Sequence, residues 1–573
     1  MPLATTVVRG FNNPKPAART GMLSVDISKA FDLMPRHLLL EKLGATDLHS
    51  NLKRWYASYF ADRRMKVVYQ GAVSKWKKSK LGVVQGGPDS PPLWNLFTKD
   101  HVAESADVDE KFADDFHSAA VSPDLDNIAA TLNVAAEETL AWATDNEMTI
   151  SAQKSTVTVF TPWTKQVNAQ LEVKIGDDAV PTEKHPRLLG VLFDPLWTFS
   201  HHAIQIARRA NSKMNVIRAL SDSEFGKDKE CLLLTFKTFI RPILNYAAPV
   251  TYPNYAASSI EKLQRVQNRA LRLALGCHSA ASVDHLHAEA KELLVADHLR
   301  LLASQFLAKA LHPDHISHHY VKLDRGRRSN KHTLQSKCID DVRQYLDEEG
   351  NLPRGSYNEV KNNIHTDIVR EALNRSSAYR VLGRRPPEIS NQETYLPRLS
   401  RVTLSQLRSG HCARLRDYQF YKLKKVDDDL CLECRSASES VHHLFSCNSH
   451  PTNLTVVDLW KRPWEVICHL TSFPSFNFLP HPGPPPPPPV RRRRRPPIPP
   501  DPSVSPDRQD RPDSPGLQID SSLFSPLSLP PATPPLVIHV TPNLVNSNPP
   551  IPPLMRPQAR SSRSNSISSD NDT

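Results

Sequence analysis

Apolar and polar residues alternate near the start of the chain. Leu23, Val25 and Ile27 take every second position of one segment, which predicts a strand with one apolar face. After Pro35 the apolar spacing becomes helical, with the proline at a favourable first helical position. The two patterns then mix, with turn residues between them, as far as Phe199. This mixture predicts an α+β domain rather than a helical bundle.

Helical spacing dominates from His202 to about Leu311, and Ser258–Leu275 is the clearest helix, with Gly276 as a natural end. One stripe of this helix is apolar: Ile260, Leu263, Val266, Ala270 and Leu273. A second stripe, roughly opposite, is basic: Lys262, Arg265, Arg269 and Arg272. The basic stripe is either the solvated face of a helix that packs on a core or a surface that lies beside a phosphate backbone.

The composition changes abruptly after His481. A proline run, Pro484–Pro489, is followed by an arginine block, Arg491–Arg495, and then by a sequence rich in Ser, Pro, Asp and Asn. Such a sequence buries too little apolar surface to fold, so we expect disorder, with polyproline II in the proline run. The arginine block is either a nuclear-import or nucleic-acid patch or a chance product of low complexity.

These patterns divide the 573 residues into six segments, as expected for a chain long enough to hold several domains. The segments are a connector at 1–21, an α+β domain at 22–200, a helical domain at 201–311, an irregular polar linker at 312–400, a basic helix with a cysteine cluster at 401–479, and a disordered tail at 480–573.

The net charge of the chain indicates what kind of partner it binds. The chain has 72 basic and 60 acidic residues, a formal net charge of +12. This surplus points to a polyanion, nucleic acid before an acidic membrane, or else to a basic protein without such a partner. Met1–Arg9 has no secretory pattern and no apolar stretch approaches about 20 residues, so we expect neither secretion nor a membrane span. We therefore expect an intracellular location, in the nucleus, the cytoplasm or both.

Two acidic motifs stand out in the α+β domain. The first is Asp26–Asp32, of sequence DISKAFD, and the second is Phe112–Asp115, of sequence FADD. A pair of adjacent aspartates alone is more often a turn or a solvated loop than a site. Three further segments accompany these motifs. Gly82–Pro91 lies between them, and Trp142–Ser155 and Leu188–Asp194 follow them in that order.

The ordered set of five segments resembles motifs A to E of the reverse transcriptases of jockey-like non-LTR retrotransposons. The resemblance covers about Gly10–Leu479, and Gln406–His411 is similar to a region downstream of the polymerase in those elements. It implies a right-hand polymerase with a palm at 22–200 and a helical thumb at 201–311. It also implies RNA-directed DNA synthesis, with an RNA template, a DNA primer and dNTPs as partners and two Mg²⁺ ions as cofactors.

By this resemblance, Asp26 and Asp114 are the main metal ligands, Asp115 completes the acidic pocket, and the backbone carbonyl of Ile27 joins the coordination. The chemistry suits these residue types, because two divalent ions stabilise the entering and leaving oxygens during nucleotide addition. Mg²⁺ prefers oxygen ligands. Three clustered carboxylates without a cation would raise one another's pKa values, so we expect a bound metal.

Other positions match residues around the family's nucleotide site. Phe31 lies where these enzymes place an aromatic steric gate against the 2′-hydroxyl, and a core phenylalanine is the alternative. Gln85 and Gly86 match the segment that lines the nucleotide and the primer end, where glycine lets the backbone approach closely. Lys154 matches the lysine proposed as general acid toward the leaving pyrophosphate, and is otherwise a surface residue.

Two further elements match parts that hold the nucleic acid. Leu189 and Gly190 match the primer-grip hairpin. The basic stripe of the helix 258–275 would then lie on the thumb and follow the phosphate backbone.

The sequence departs from the family pattern in two places. Around Gln85 the family usually has proline, serine and leucine where this chain has Val84, Gly87 and Asp89. Only about 25 residues precede Asp26, so we expect an N-terminally truncated member that lacks most of the fingers, whose basic residues hold the triphosphate. Residues 1–21 are then either a connector or a remnant of the fingers. We hypothesise that the isolated chain polymerises poorly or not at all.

A cysteine cluster predicts a zinc site. Cys431, Cys434, His442 and Cys447 have the spacing C-x2-C-x7-H-x4-C, and zinc takes four thiolate or imidazole ligands in two short-spaced pairs. His443 is an alternative ligand, and we favour His442 for its spacing to Cys447. Reduced structural cysteines beside chance histidines are the other interpretation. The remaining cysteines are scattered, which is typical of a reducing compartment rather than a disulfide scaffold.

Two functions from different classes follow. The first is an RNA-directed DNA polymerase with an α+β palm, a helical thumb, a zinc-binding C-terminal region and a disordered tail. The second is a non-catalytic remnant that binds nucleic acid. Persistent RNA binding after Asp114→Asn, without primer extension before or after the change, would favour the remnant. The sequence predicts no oligomeric state.

Overall fold

The computed structural model describes residues 1–222, 226–322, 331–375, 380–481, 483 and 536–539. The chain divides into two compact units. The first unit comprises Met1–Phe31 and Pro91–Asp513, and the second comprises Asp32–Ser90 and Ser514–Thr573.

The strands are, in chain order, β1 (Arg19–Asp26), β2 (Arg64–Tyr69), β3 (Ala72–Val73), β4 (Lys77–Lys78), β5 (Val108–Phe112), β6 (Asp115–Ser122), β7 (Thr156–Phe160), β8 (Lys174–Ile175), β9 (Asp178–Ala179), β10 (Arg187–Leu188), β11 (Val191–Leu192) and β12 (Leu536–His539).

The α-helices are α1 (Pro2–Phe11), α2 (Ala30–Leu33), α3 (Arg36–Gly44), α4 (Ser50–Phe60), α5 (Ser90–Phe97), α6 (Leu125–Asp145), α7 (Ser200–Leu220), α8 (Lys229–Thr235), α9 (Arg241–Asn245), α10 (Ala248–Thr251), α11 (Ala257–Leu275), α12 (Val283–Ala290), α13 (Val295–Ala310), α14 (His318–Lys322), α15 (Leu334–Val342), α16 (Tyr357–Arg375), α17 (Arg398–Ser409), α18 (Arg416–Tyr418), α19 (Asp458–Lys461) and α20 (Pro463–Leu470). Short 3₁₀ turns lie at Thr164–Gln166, Tyr252–Asn254, Arg343–Tyr345, Asn391–Tyr395, His443–Phe445 and Pro474–Phe476, and π-helical turns at Phe236–Ile240 and Gln419–Leu423.

The first unit contains a four-stranded antiparallel sheet in the order β5-β6-β1-β7. β1 lies in its interior, where consecutive residues from Thr20 to Leu23 are buried because both faces of the sheet are covered. Helix α1 packs on one face, with Val7 in the same apolar cluster as Met22. Helix α6 packs on the opposite face, where Ile128 lies against the α-carbon of Gly21. Mixed helices and sheet agree with the predicted α+β class.

Of the two interpretations of 1–21, the connector is wrong. Pro2–Phe11 is a helix whose apolar stripe, including Leu3 and Val7, is buried in the core of the first unit. Helical spacing of apolar residues and a proline at the first position favour this structure. The prolines that follow the helix suggested a connector, but they lie after its end at Phe11.

Helices α7 to α13 form the helical region that the sequence predicts after residue 200. α11 packs against α7, α12 and α13, and buries Leu263, Val266 and Ala270. Gly276 ends it with a φ of +69°, and its backbone N–H donates to the carbonyl of Arg272. Glycine adopts this left-handed conformation without steric strain, as the sequence predicts for the end of this helix.

The prediction of an irregular linker at 312–400 is also wrong. α15 and α16 pack on α13, and Val360, Ile364 and Ile368 of α16 join Cys338 of α15 in a separate apolar cluster. These three residues recur every four positions, so they form a narrow stripe on an otherwise polar helix. The polar majority of the segment obscured that stripe.

The basic helix predicted at the start of 401–479 begins earlier, at Arg398, and its arginines are largely internal. Arg408 is fully buried, forms an ion pair with Glu289 at 2.7 Å and another with Glu393, and donates through Nε to the carbonyl of Leu459 at 3.0 Å. Buried arginines are retained when carboxylates and carbonyls satisfy their donors. Arg408 therefore ties the C-terminal region to α12 rather than facing solvent.

The second unit contains α3, α4 and a small sheet. β2 pairs antiparallel with β3 and with β4, and on its other edge it pairs parallel with β12. β12 lies within the segment 480–573 that the sequence predicts to be disordered, so this prediction is wrong for Leu536–His539. The proline run and the arginine block lie outside the described residues. Among the described helices, none is long and apolar enough to cross a membrane.

Candidate active site and metal cluster

The three predicted acids converge at one end of the sheet in the first unit. Asp26 is the last residue of β1 and pairs in register with Asp115, the first residue of β6. The turn that joins β5 to β6 contains Ala113, at a φ of +53°, and Asp114. The pKa of Asp115 is raised, first by burial and then by the charges of Asp114 and Asp26. The carboxylates are thus close enough to repel one another.

A tryptophan that the sequence analysis did not single out fixes this turn. Trp94 is buried in α5 and its indole N–H donates to the carbonyl of Ala113 at 2.6 Å. Phe31 is half-buried and stacks on Trp94, with ring centroids 5.2 Å apart. The predicted gate residue therefore rests on the same side chain that anchors the acidic turn.

The end of β1 is also fixed by the loop that precedes β7. The backbone N–H of Asp26 donates to Ser155 Oγ at 3.0 Å, and its carbonyl accepts from the N–H of Ser151 at 2.9 Å. Ser155 Oγ in turn donates to the carbonyl of Ser151 at 2.8 Å. Lys154 is exposed on this loop, with Nζ 3.9 Å from Asp26 Oδ2. The loop thus places the predicted general acid beside the predicted metal ligand.

Gln85 and Gly86 belong to the second unit, whereas the three acids belong to the first. Gln85 Nε2 donates to Asp32 Oδ1 at 3.0 Å, and Gly86 has a φ of +83°. Ser90 Oγ donates to the carbonyl of Val84 at 2.5 Å and closes the turn. The segment is therefore an ordered turn whose Gln85 side chain is exposed.

Leu189 and Gly190 form the turn of a hairpin between β10 and β11, as the sequence predicts for this segment. Both have a positive φ, of +47° and +82°, as in a two-residue hairpin turn. Tyr246 Oη donates to the carbonyl of Leu189 at 2.5 Å. The Leu189 side chain is half-exposed at the tip of the hairpin, so this turn, which Tyr246 holds in place, exposes an apolar group to solvent.

The basic stripe of α11 borders a groove of about 350 Å³ between α11 and α7. Lys262, Arg265 and Arg269 line it, and Arg208 of α7 adds a fourth cation. Arg272 does not line this groove: it is half-buried and donates to the carbonyl of Ala281 at 3.2 Å. The stripe therefore offers three of its four cations to this groove, together with one from the neighbouring helix.

The cysteines meet as predicted, but with a different histidine. Ligand atoms of Cys431, Cys434, His443 and Cys447 all lie within 4.8 Å of one another. Cys434 Sγ is 3.3 Å from His443 Nε2. The prediction of His442 is wrong, because the 3₁₀ turn that begins at His443 turns this ring inward and leaves His442 exposed. The spacing becomes C-x2-C-x8-H-x3-C.

Part of the chain is similar to a known protein family. Residues 4–193 match the family described as reverse transcriptase (RNA-dependent DNA polymerase). A probable RNA-directed DNA polymerase from transposon X-element of Drosophila melanogaster is 26% identical over 289 residues, which are 50% of this chain and 31% of that protein. The RNA-directed DNA polymerase from mobile element jockey of the same species is 24% identical over 51% of this chain and 32% of its own length. Residues 4–193 thus match a reverse transcriptase domain, and half of the chain is similar to RNA-directed DNA polymerases of Drosophila transposons.

The chain spans about a third of the length of the curated relatives it matches. The matched family segment includes α1, the whole four-stranded sheet and the hairpin of Leu189. A telomerase from Candida albicans, solved with a fragment of telomeric RNA, aligns with 48% of this chain and 50% of its own at 14% identity and a TM-score of 0.26. A score this low supports no conclusion about the fold.

Proposed function

We propose that this reverse transcriptase chain adds deoxynucleotides to a DNA primer on an RNA template through two-metal chemistry. The observation that carries the proposal is the register of β1 and β6, which sets Asp26 opposite Asp115 beside the turn of Asp114. Acids that are distant in the sequence lie together at one end of a sheet, as a nucleotidyl-transfer site requires.

The donor set fits Mg²⁺. Asp26, Asp114 and Asp115 offer carboxylate oxygens, which this hard cation prefers. The raised pKa of Asp115 reflects mutual repulsion as well as burial, and a divalent cation would relieve that repulsion. Bound Mg²⁺ would neutralise charge on the attacking and leaving oxygens. Lys154 would hold a proton near the leaving pyrophosphate, from its place beside Asp26.

Phe31 would select deoxynucleotides. Its ring is half-buried against Trp94, so it has little freedom to move away from a bound sugar. A 2′-hydroxyl above a fixed ring would clash, whereas a deoxyribose would pack on it. Gln85 and Gly86 would line the nucleotide and the primer end, a role supported by their match to the family motif.

The hairpin and the groove would hold the primer–template duplex. Leu189 and Gly190 would support the primer end through a turn braced by Tyr246. Lys262, Arg265 and Arg269 would contact phosphates along α11, because exposed cations at helical spacing match a polyanion. Arg272 would act mainly through its contact with the carbonyl of Ala281.

The cluster of Cys431, Cys434, His443 and Cys447 would bind one zinc ion. Three thiolates and one imidazole are a common structural donor set. The cluster lies among buried residues of the C-terminal region, including Leu444, so the metal would stabilise that region rather than react.

Primer extension tests the polymerase proposal. The purified chain receives an RNA template, a labelled DNA primer, dNTPs and Mg²⁺. We expect slow extension, because Val84, Gly87 and Asp89 depart from the family pattern, and we expect Asp114→Asn to abolish it while RNA binding persists. Equal RNA binding by both proteins, with extension by neither, would instead support the non-catalytic alternative.

A further inference from the structure

A strongly basic stretch lies in the second unit, outside the three acids of the proposed catalytic site. Between Arg63 and Lys80 there are seven basic residues and no acidic one. The stretch comprises β2, β3 and β4, and most of its side chains are exposed. We call this stretch, together with the preceding helix α4, the basic hairpin surface.

Aromatic side chains lie among these cations. Trp55, Tyr69 and Trp76 are 45%, 43% and 42% exposed, which is unusual for large rings that are not bound to a partner. Trp55 stacks on Tyr59 with centroids 5.1 Å apart and planes 14° from parallel. The Arg63 guanidinium lies 4.3 Å from the centre of the Tyr59 ring.

Trp76 forms a second platform. Lys66 Nζ lies 4.9 Å from the centre of its ring, so the cation is held next to an exposed indole. Each exposed tryptophan thus has a neighbouring ring or cation as support and retains accessible surface. Exposed aromatic platforms beside cations are typical of proteins that stack bases and contact phosphates.

The hairpin holds these groups in place. Gln70 and Gly71 form a two-residue turn with φ values of +48° and +83°, and Val68 pairs with Val73 across it. The N–H of Val67 donates to the hydroxyl of Ser74 at 2.8 Å. Because β12 pairs with the outer edge of β2, the hairpin offers side chains rather than a free strand edge.

Internal ion pairs account for only part of the charge. Asp62 pairs with Arg64 at 2.9 Å and with Lys78 at 2.8 Å, and the pKa of Asp62 is lowered chiefly by hydrogen bonds from Lys78 and then Arg64. Within the described part of the chain, no carboxylate lies within ion-pair distance of the four other lysines of the hairpin: Lys66, Lys75, Lys77 and Lys80. An anionic partner would therefore find unpaired cations here.

We propose that the basic hairpin surface binds single-stranded nucleic acid. Bases stack on Trp55 and Trp76, while Lys75, Lys77 and Lys80 contact phosphates. Separate exposed rings among unpaired lysines fit the bases and phosphates of a single strand better than the continuous apolar face that a membrane surface requires. This surface goes beyond the proposed catalysis, because it uses none of the acids and would hold an unpaired segment of template whether or not the chain extends a primer.

Fluorescence anisotropy with a labelled oligouridine tests the stacking. The full chain is compared with Trp55→Ala and Trp76→Ala. Since stacking of one base contributes about 1–3 kcal/mol, we expect Kd to rise about tenfold for each change. Tyr395→Ala is the matched control, because this ring is 61% exposed in the first unit, and we expect it to leave Kd unchanged.

The salt dependence tests the lysines. A single strand loses about 0.7 in the slope of log K against log salt for each phosphate contact removed. The triple change Lys75→Gln, Lys77→Gln and Lys80→Gln is therefore expected to reduce the slope by about 2. Far-ultraviolet circular dichroism should match the unchanged chain, because all three side chains are exposed.

Asp114→Asn separates this proposal from the catalytic one. We expect it to bind oligouridine as the unchanged chain does even when extension is lost. Unchanged Kd in both tryptophan variants would overturn the proposal, whatever the extension assay shows. Binding to phosphatidylserine vesicles that is lost in Trp76→Ala, without any oligouridine binding by the unchanged chain, would also reject it and favour a membrane surface.

Discussion

Single residues hold the end of β1 through contacts that have no charge. Asp26 is fixed through its main chain, which bonds to Ser155 and Ser151, while its carboxylate lies at the same end of the sheet as Asp115, with Lys154 Nζ 3.9 Å away. This division suits a metal ligand, because backbone contacts position the side chain without neutralising it.

Ser155→Ala tests this support. The change removes the acceptor of the Asp26 N–H from a buried position, so we expect the free energy of unfolding to fall by about 1–3 kcal/mol. The rate of primer extension should fall as well, because Asp26 loses part of its support. Urea unfolding measures the first effect, and the exposed Ser58→Ala serves as a control that should change stability by less than about 0.5 kcal/mol. Identical unfolding curves for both variants would contradict the assigned role of Ser155.

A pair of adjacent histidines offers a second test at this scale. We expect close to one zinc ion per chain, because the four ligand atoms are gathered within 4.8 Å. His443→Ala should lose zinc and lower the melting temperature, whereas His442→Ala should keep both. Metal analysis by mass spectrometry measures the content. If His442→Ala loses zinc and His443→Ala does not, His442 is the ligand, as the spacing predicted.

The sequence predicted the acids and the cysteines because their residue types carry the chemistry. It did not predict His443, because two neighbouring histidines differ only in where a local turn directs them. Trp94 and Ser155 were also missed as site residues, since a supporting hydrogen bond leaves no mark in residue type. The pair Lys154-Ser155, which forms part of one motif, was the available signal for Ser155.

At the scale of elements, β1 is the part on which the site depends most. It is covered by α1 on one face and by α6 on the other. Its closest approach to α6 is at Gly21, where an added β-carbon would lie 2.3 Å from Ile128 and 2.9 Å from Leu171. A strand that carries a metal ligand at its end is thus packed tightly against its supporting helix.

Gly21→Ala should therefore destabilise the first unit. Overpacking of a well-packed core typically costs about 1–3 kcal/mol, and here two side chains must shift. Thermal unfolding measures the loss. Gly44→Ala is the matched control, because a β-carbon there has no neighbour within 4 Å and alanine favours the end of helix α3. Equal melting temperatures for the two variants would show that α6 does not press on β1.

Elements with a broad apolar stripe were predicted well, as α11 and β1 illustrate. α1 and α16 were missed for different reasons. Prolines after α1 suggested a connector, and the stripe of α16 is only one residue wide. α17 was predicted as a basic helix, but sequence cannot distinguish a solvated arginine from one that is paired inside the fold, as Arg408 is.

At the scale of the whole molecule, burial of histidines predicts acid sensitivity. Burial is the first cause that lowers the pKa to about 4 in each member of this group: His117, His202, His285 and His298. These side chains are neutral in the folded chain at pH 5 but protonated in the unfolded chain, where the pKa is 6.5. The unfolded state then binds more protons, so stability falls as pH decreases from about 6.5 to 4.

Urea unfolding at pH 7, 6 and 5 measures this effect. We expect the free energy of unfolding to decrease at each step. The raised pKa values of Asp115, Asp417 and Glu439 act in the opposite direction, but they are three groups against four strongly shifted histidines. The same decrease in His443→Ala would exclude zinc release as the cause. Stability that is constant or higher at pH 5 would contradict the burial of these histidines.

The order of motifs along the chain was predictable, but the division into units was not. Gln85 and Gly86 lie in the second unit, while the acids lie in the first. Local periodicity determines which segments are helices or strands, whereas the contacts that divide a chain depend on residues far apart in sequence. For the same reason, the roles of all these residues were inferred from the resemblance. The register of β1 and β6 then added structural support for the roles of the acids.

The most direct test of the account asks whether Asp26 and Asp114 share one divalent-metal site. Fe²⁺ substituted for Mg²⁺, with ascorbate and peroxide, cleaves the backbone near the bound ion. We predict backbone cuts close to residue 26 and close to residue 114. Both sets of cuts should be lost in Asp26→Asn. Cuts near only one of the two segments, or cuts near residue 114 that persist in Asp26→Asn, would contradict a shared site.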